Sequence, residues 1–154
     1  MRLKQALLAF SVVAAFAAAT AFAQPVRVQA HAGARYVSGG VGQEERAALE
    51  AMRGEFNLRV TFAAQRSGGY LAGVGVGVED SKGREVFRTV AQGPWLYARL
   101  APGRYRLTAS YSGRRQTRQV AVPGKGHVSL DLYWQDPSSL EEKNIAPRRP
   151  GGPK

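Results

Sequence analysis

The chain has 154 residues, a formal charge of +11 and no cysteine, which sets its scale at one small globular domain rather than a multidomain enzyme. The absence of cysteine excludes disulfides, thiol nucleophiles, thiolate metal sites and a lipid-modified cysteine. The fold is therefore expected to stand on its apolar core alone.

Residues 1–23 read as a signal peptide. Arg2 and Lys4 give a positive start, Ala6 to Ala19 is almost wholly apolar, and Ala21-Phe22-Ala23 supplies a small-x-small cleavage pattern before Gln24. The alternative is a membrane anchor, because the run with Ser11 and Thr20 included approaches the roughly 18 residues that cross a bilayer. Its alanine-rich composition and well-placed triplet favour cleavage after Ala23, hence a periplasmic or secreted protein. No second apolar stretch follows, so no transmembrane segment is expected after cleavage. Loss of Arg2 and Lys4 leaves a charge of about +9. That charge favours anionic partners such as lipopolysaccharide, phospholipid headgroups or teichoic acid. Nucleic acid is not an expected partner of an exported chain, and an arginine-rich composition from GC-biased coding accounts for the same charge without any ligand.

Residues 24–55 read as an N-terminal extension. Gln24 to His31 has the alternation of a short strand, Ser38 to Gly42 reads as a flexible glycine loop, and 43–53 reads as the one helix. Glu44 and Glu45 sit in its first turn, Arg53 in its last and Gly54 at the stop, as the helix dipole and the C-terminal glycine preference ask. Ala48, Leu49 and Met52 form a narrow apolar stripe, and a helix of about three turns must pack on something to persist.

Residues 56–134 switch to a period of two. Phe56, Leu58, Val60 and Phe62 alternate with polar residues. Val74, Val76 and Val78 alternate with Gly73, Gly75 and Gly77, a bare face that predicts close approach by another backbone or by the helix. Asp80-Ser81-Lys82-Gly83 predicts a hairpin turn into 85–90. After Gln92-Gly93-Pro94, Leu96, Ala98 and Leu100 point one way and Trp95, Tyr97 and Arg99 the other. Ala101-Pro102-Gly103 turns the chain into a strand with Tyr105, Leu107, Ala109 and Tyr111 inward. Strands over 115–122 and ending in Val128, Leu130, Leu132 and Trp134 complete the set. Turns every 8 to 12 residues or so predict a mainly β fold, an antiparallel prealbumin-like or Ig-like sandwich with one short helix packed on it. Residues 135–154 are too rich in proline, glycine and charge to pack, and are expected to be disordered.

Leu100-Ala101-Pro102-Gly103-Arg104-Tyr105-Arg106-Leu107 resembles the Leu-x-Pro-Gly-x-Tyr-x-Leu signature of carboxypeptidase regulatory-like domains, which are prealbumin-like sandwiches. Tyr70 to Val78 resembles the alternating-valine strand of that family, and Asp80 to Gly83 fills its usual turn, so the resemblance covers about 70–134. With Tyr36 to Gly42 and the helix ahead of it, the chain is similar to small exported bacterial proteins that carry such a domain. The resemblance implies a non-catalytic binding or structural module. One departure is Gln92-Gly93-Pro94-Trp95 in place of an aspartate-rich turn, which prevents carrying over any ligand loop there.

Chemistry-bearing residues are few. His31 and His127 lie on polar strand faces. His127 and Asp131 would stand roughly 13 Å apart by strand rise, too far to share a metal. Among prealbumin-like folds the 5-hydroxyisourate hydrolases end in Tyr-Arg-Gly-Ser and this chain does not. It has no Gly-x-Ser-x-Gly elbow or phosphate loop, and Gly-x-Gly-x-Gly within a strand is no dinucleotide fingerprint. Catalytic residues, metal ligands and cofactors are therefore all expected to be none. The leading binding candidates are Arg104, Arg106, Arg114, Arg115 and Arg118, expected to gather at one edge of a hairpin and to hold anionic groups by bidentate contacts. Protection of an edge strand against pairing is the competing reason for such charges. Trp95 and Tyr97 form either an aromatic platform for sugar or peptide, or the floor beneath the helix. The expected partner is an envelope protein or, alternatively, an anionic envelope polymer such as lipopolysaccharide or peptidoglycan.

Overall fold

The computed structural model describes residues 26–135. The signal peptide, its anchor alternative and nearly all of the basic tail lie outside the described residues. Nine strands run in chain order: β1 (Gln29–His31), β2 (Ala34–Gly39), β3 (Leu58–Ala64), β4 (Val74–Asp80), β5 (Glu85–Ala91), β6 (Trp95–Arg99), β7 (Gly103–Tyr111), β8 (Arg114–Val122) and β9 (Val128–Trp134). One helix, α1 (Gln43–Met52), follows β2 and continues into a 3-10 turn at Arg53–Glu55. The helix thus ends one residue earlier than expected, and Gly54 lies inside the 3-10 turn rather than at the stop.

The strands form two sheets. Sheet A has the order β1-β2-β6-β3-β9 and sheet B the order β5-β4-β7-β8. The protein is a β-sandwich, mainly β, with one short helix. All pairs are antiparallel except β3 with β9, which run parallel from Leu58↔Val128 to Ala64↔Trp134. The parallel pair departs from the expected all-antiparallel sandwich. Period-two patterning fixes which face a strand buries but not the direction of its neighbour, so side-chain alternation is blind to it.

The core between the sheets is built from the inward parity of each strand. Leu58, Val60 and Phe62 of sheet A face Val74, Val76 and Val78 of sheet B, with Phe87, Leu96, Leu107 and Leu132 around them, all nearly inaccessible. Aromatic pairs close both sides of the sandwich. Tyr36 of β2 stacks on Phe87 of β5 with ring centroids 4.3 Å apart. On the other side Trp134 of β9 lies against Phe62 at 6.2 Å and against Tyr111 of sheet B at 6.1 Å. Trp134 Nε1 also donates to the Arg114 carbonyl (3.2 Å), and Gln116 Nε2 to the Tyr133 carbonyl (2.6 Å), tying edge strand β8 to edge strand β9.

Two expectations about the N-terminal half need correction. Residues 24–55 are no mere extension, because β1 and β2 are strands of sheet A and β2 pairs with β6 over five residues. Ser38 and Gly39 likewise end β2 rather than opening a flexible loop. Ser38 Oγ accepts from Gln92 N–H (3.0 Å), and a Cβ on Gly93 would run into the backbone of Gly39. Glycine is thus required at 93 to let the β5–β6 connection lie flat on β2. The helix follows at once, its third residue Glu45 reaching back to the N–H groups of Gly40 (2.9 Å) and Val41 (2.8 Å), a variant of the capping box. Leu49 is the only fully buried helix residue; it packs with Val37, Phe56 and Tyr97 on the outer face of sheet A.

Asn57 is the sole buried polar side chain of the described residues, 4% exposed. Its amide donates to the Leu100 carbonyl (2.8 Å) and accepts from the Leu100 N–H (2.9 Å). Replacing it with alanine strands two buried backbone groups, each at a cost of about 1–3 kcal/mol. Asn57→Ala is expected to lose about 2–4 kcal/mol in urea unfolding with an unchanged m-value, whereas Arg99→Ala on the surface stays within about 0.5 kcal/mol.

Candidate functional site

The hairpin that carries the candidate arginines is set by two turns. Pro102-Gly103 starts β7, and the Tyr105 hydroxyl donates back to the Ala101 carbonyl (2.8 Å), fastening the corner. Ser112 and Gly113 have φ of 47° and 74°, the backbone of a tight two-residue hairpin whose twist matches that of its strands. The resulting register pairs Arg104↔Ala121, Arg106↔Gln119, Leu107↔Arg118, Ser110↔Arg115 and Tyr111↔Arg114.

Residues opposed across antiparallel strands project to the same face. Arg104, Arg106 and Arg115 therefore project from the outer face of sheet B, while Arg114 and Arg118 share the inner parity of Tyr111 and Leu107 at the sheet edge. All five are exposed, but they do not form one cluster. Register separates them: the step from 114 to 115 crosses the sheet. The edge pair has local partners. Arg114 donates to Gln135 Oε1 (2.9 Å), and Arg118 to the Thr117 carbonyl (3.1 Å) and Gln116 Oε1 (3.2 Å). On the outer face Arg106 pairs with Glu79 at 3.3 Å, and Arg104 and Arg115 have no ion pair among the described residues.

Trp95 and Tyr97 stand on the outer face of sheet A. Tyr97 is 6% exposed beneath α1, with the Phe56 ring 6.1 Å away, and Trp95 is half-buried and stacked alongside it at 6.3 Å. Of the two readings, the floor under the helix is the one realised, so Tyr97 is no open platform. Burial, and after it the Glu50 carboxylate, push its phenol above the ordinary value of 10.0.

The glycine face of β4 is covered neither by helix nor by backbone. Gly75 and Gly77 floor an open trough of about 540 Å³ on the outer face of sheet B. The cross-strand rows are Val90–Gly75–Ser110–Arg115 and Arg88–Gly77–Thr108–Thr117. The Arg88 Nε and Nη2 groups are held by Glu85 (2.9 and 2.7 Å), and Nη1 lies 3.5 Å from where a Gly77 Cβ would stand. The sequence alternation singled out this face, but not that Arg88, Thr108, Ser110 and Arg115 wall it, because those residues meet only through the order β5-β4-β7-β8. At the far end of β4, Asp80 accepts from the N–H groups of Lys82 (2.9 Å) and Arg84 (3.0 Å) and from Arg84 Nε (2.8 Å), which hold its carboxyl below the ordinary aspartate value.

His31 and His127 are both exposed, His127 just ahead of β9. Among the described residues no three histidine, aspartate or glutamate side chains group to hold a metal ion, and no helix is long and apolar enough to cross a membrane. No protein-family model and no curated protein matches the sequence.

The raised Tyr97 value carries a stability consequence. The folded state holds the phenol proton past the unfolded value, so this stabilisation is complete below pH 10 and fades as pH rises through the folded value. Tyr105 is raised likewise, by burial and then by the Asp80 carboxylate, so a phenolate absorbance titration is expected to show two tyrosines ionising late. Tyr97→Phe removes one of the two late ionisations and lessens the loss of stability above pH 10.

Proposed function

We propose that the chain is a non-catalytic binding module of the cell envelope, exported by its N-terminal segment, that holds an anionic envelope polymer on the outer face of sheet B. The observation that carries this reading is the outward set Arg104, Arg106 and Arg115, of which Arg104 and Arg115 have no ion pair among the described residues. Unpaired exposed guanidiniums on a four-stranded face suit bidentate contact with carboxylate or phosphate groups spaced along a polymer. The charge of about +9 left once Arg2 and Lys4 are lost supplies long-range attraction of the same sign. The likeness of Leu100 to Leu107 to carboxypeptidase regulatory-like domains supports a binding role over a catalytic one.

A protein partner is the second reading, favoured by one observation. Strand β8 is a nine-residue sheet edge, long enough to accept an added strand. Arg114 and Arg118 border that edge.

The division of the arginines between two faces makes the readings separable. Residues 24–154 are titrated with lipopolysaccharide and peptidoglycan fragments at low and high salt. Triple replacement of Arg104, Arg106 and Arg115 by serine is expected to weaken binding at least tenfold and to remove most of its salt dependence, whereas double replacement of Arg114 and Arg118 changes it less than threefold. Equal losses from the two variants, or binding indifferent to salt, would overturn the outer-face reading. Loss confined to the edge variant, with capture of a periplasmic protein, would install the second.

A further inference from the structure

The trough over β4 has a composition that general attraction for anions does not require. Both edges of β4 are spent in ladders, to β5 on one side and β7 on the other. Its main chain has little left to offer a peptide strand, which docks by backbone pairing at a free sheet edge. What the face offers instead is side-chain hydroxyls and guanidiniums around a floor without Cβ atoms. The Ser110 hydroxyl lies over Gly75, its oxygen 2.9 Å from where a Cβ would stand. Thr108 shares its hydroxyl contact with Thr117 at 3.4 Å. Hydroxyls both donate and accept, and so match a ligand that carries hydroxyls of its own.

The charges are placed as well as counted. Glu79 is neutralised by Arg106 at 3.3 Å, and Arg88 is held by Glu85 through Nε and Nη2. Arg115 is the trough guanidinium without an ion pair among the described residues. Arg88 and Arg115 spring from strands three spacings apart, roughly 14 Å. With no side chain at 77, Arg88 lies inward across β4, its Nη1 3.5 Å from where a Cβ would stand, narrowing that gap to the scale of one or two sugar rings. Val90, 54% exposed at the end of the Gly75 row, adds an apolar contact for ring C–H groups.

We infer that this trough is a saccharide subsite for a sugar that carries a carboxylate, with the acid on Arg115 and ring hydroxyls on Ser110, Thr108 and Arg88 Nη1. The inference rests on the reading that the outer face of sheet B takes an anionic polymer, and it specifies the repeating unit of that polymer. Neither glycine needs a positive φ, and the Gly77 site has only the flexible end of Arg88 near it, so Gly77→Val fills the floor and displaces Arg88 while every charge is kept.

The experiment is calorimetric titration of residues 24–154 with trigalacturonic acid, its methyl ester and poly-L-glutamate. Wild type is compared with Gly77→Val, Ser110→Leu and Arg115→Ser, each first checked for an unchanged thermal transition. Expected are binding of the acid, at least tenfold weaker binding of the ester, and at least tenfold loss with Gly77→Val and Arg115→Ser. Poly-L-glutamate, which tracks charge alone, should lose affinity with Arg115→Ser but not with Gly77→Val. Ser110→Leu covers the Gly75 end from an exposed position and is expected to act on the sugar as Gly77→Val does, which keeps the test open should valine at 77 unsettle the sheet. Full acid binding in both filled variants would overturn the subsite while leaving the arginine face standing. So would equal affinity for the ester, or poly-L-glutamate binding more tightly than the sugar and lost with Gly77→Val. Failure of every anionic probe, including lipopolysaccharide, would remove both.

Discussion

One buried amide holds the junction on which this sandwich turns. Asn57 stands where the chain leaves the helix and enters β3. Its side chain brackets Leu100 at the end of β6, its N–H donates to the Ala98 carbonyl (3.1 Å), and its carbonyl accepts from Val128 N–H (2.8 Å) at the start of β9. Three strands of sheet A are thereby set in register from one residue. With no cysteine to staple them, registration depends on hydrogen bonds of this sort and on the aromatic closures at Tyr36–Phe87 and Trp134. A shift of one residue in β3 would turn Leu58, Val60 and Phe62 out of the core.

Much of the sandwich was legible because parity survives folding. The alternations at 58–62, 74–78, 105–111 and 128–134 place the expected side chains inward, whereas Phe56, ahead of β3, turns to the helix on the outer face of sheet A; the turns at Asp80 and Pro102 fall where proline, glycine and aspartate dictate. Strand β2 is masked in the sequence because Ser38, Gly39 and Gly40 read as a loop. Its glycine is wanted for close contact with the 92–94 connection, a reason invisible in local sequence. The parallel partnership of β3 and β9 is likewise a property of the whole chain.

The candidate site was legible in its ingredients and illegible in its assembly. Five arginines between 104 and 118 looked like one patch, yet neighbours along a strand face opposite ways, and the tight turn at Ser112-Gly113 fixed which three share the outer face. The alternating glycines of β4 predict close packing by their lack of side chains. They instead mark where sheet B is left bare, and Arg88 reaches that bare strip from a strand whose own pattern gave no hint of it. Tyr97 was offered two roles by its position, and the helix above it decided between them.

The pairing of β3 with β9 also bears on how the molecule comes to be folded. Leu58 finds its partner at Val128, about 70 residues on, a contact of high sequence separation that pays its loop-closure entropy late and places the domain among the slower folders of its size. Until the last strand has left the ribosome, β3 is an unpaired apolar edge, and sheet A lacks the tryptophan that seals its far side. The chain therefore has a built-in delay before it becomes compact, set by the synthesis of its last strand.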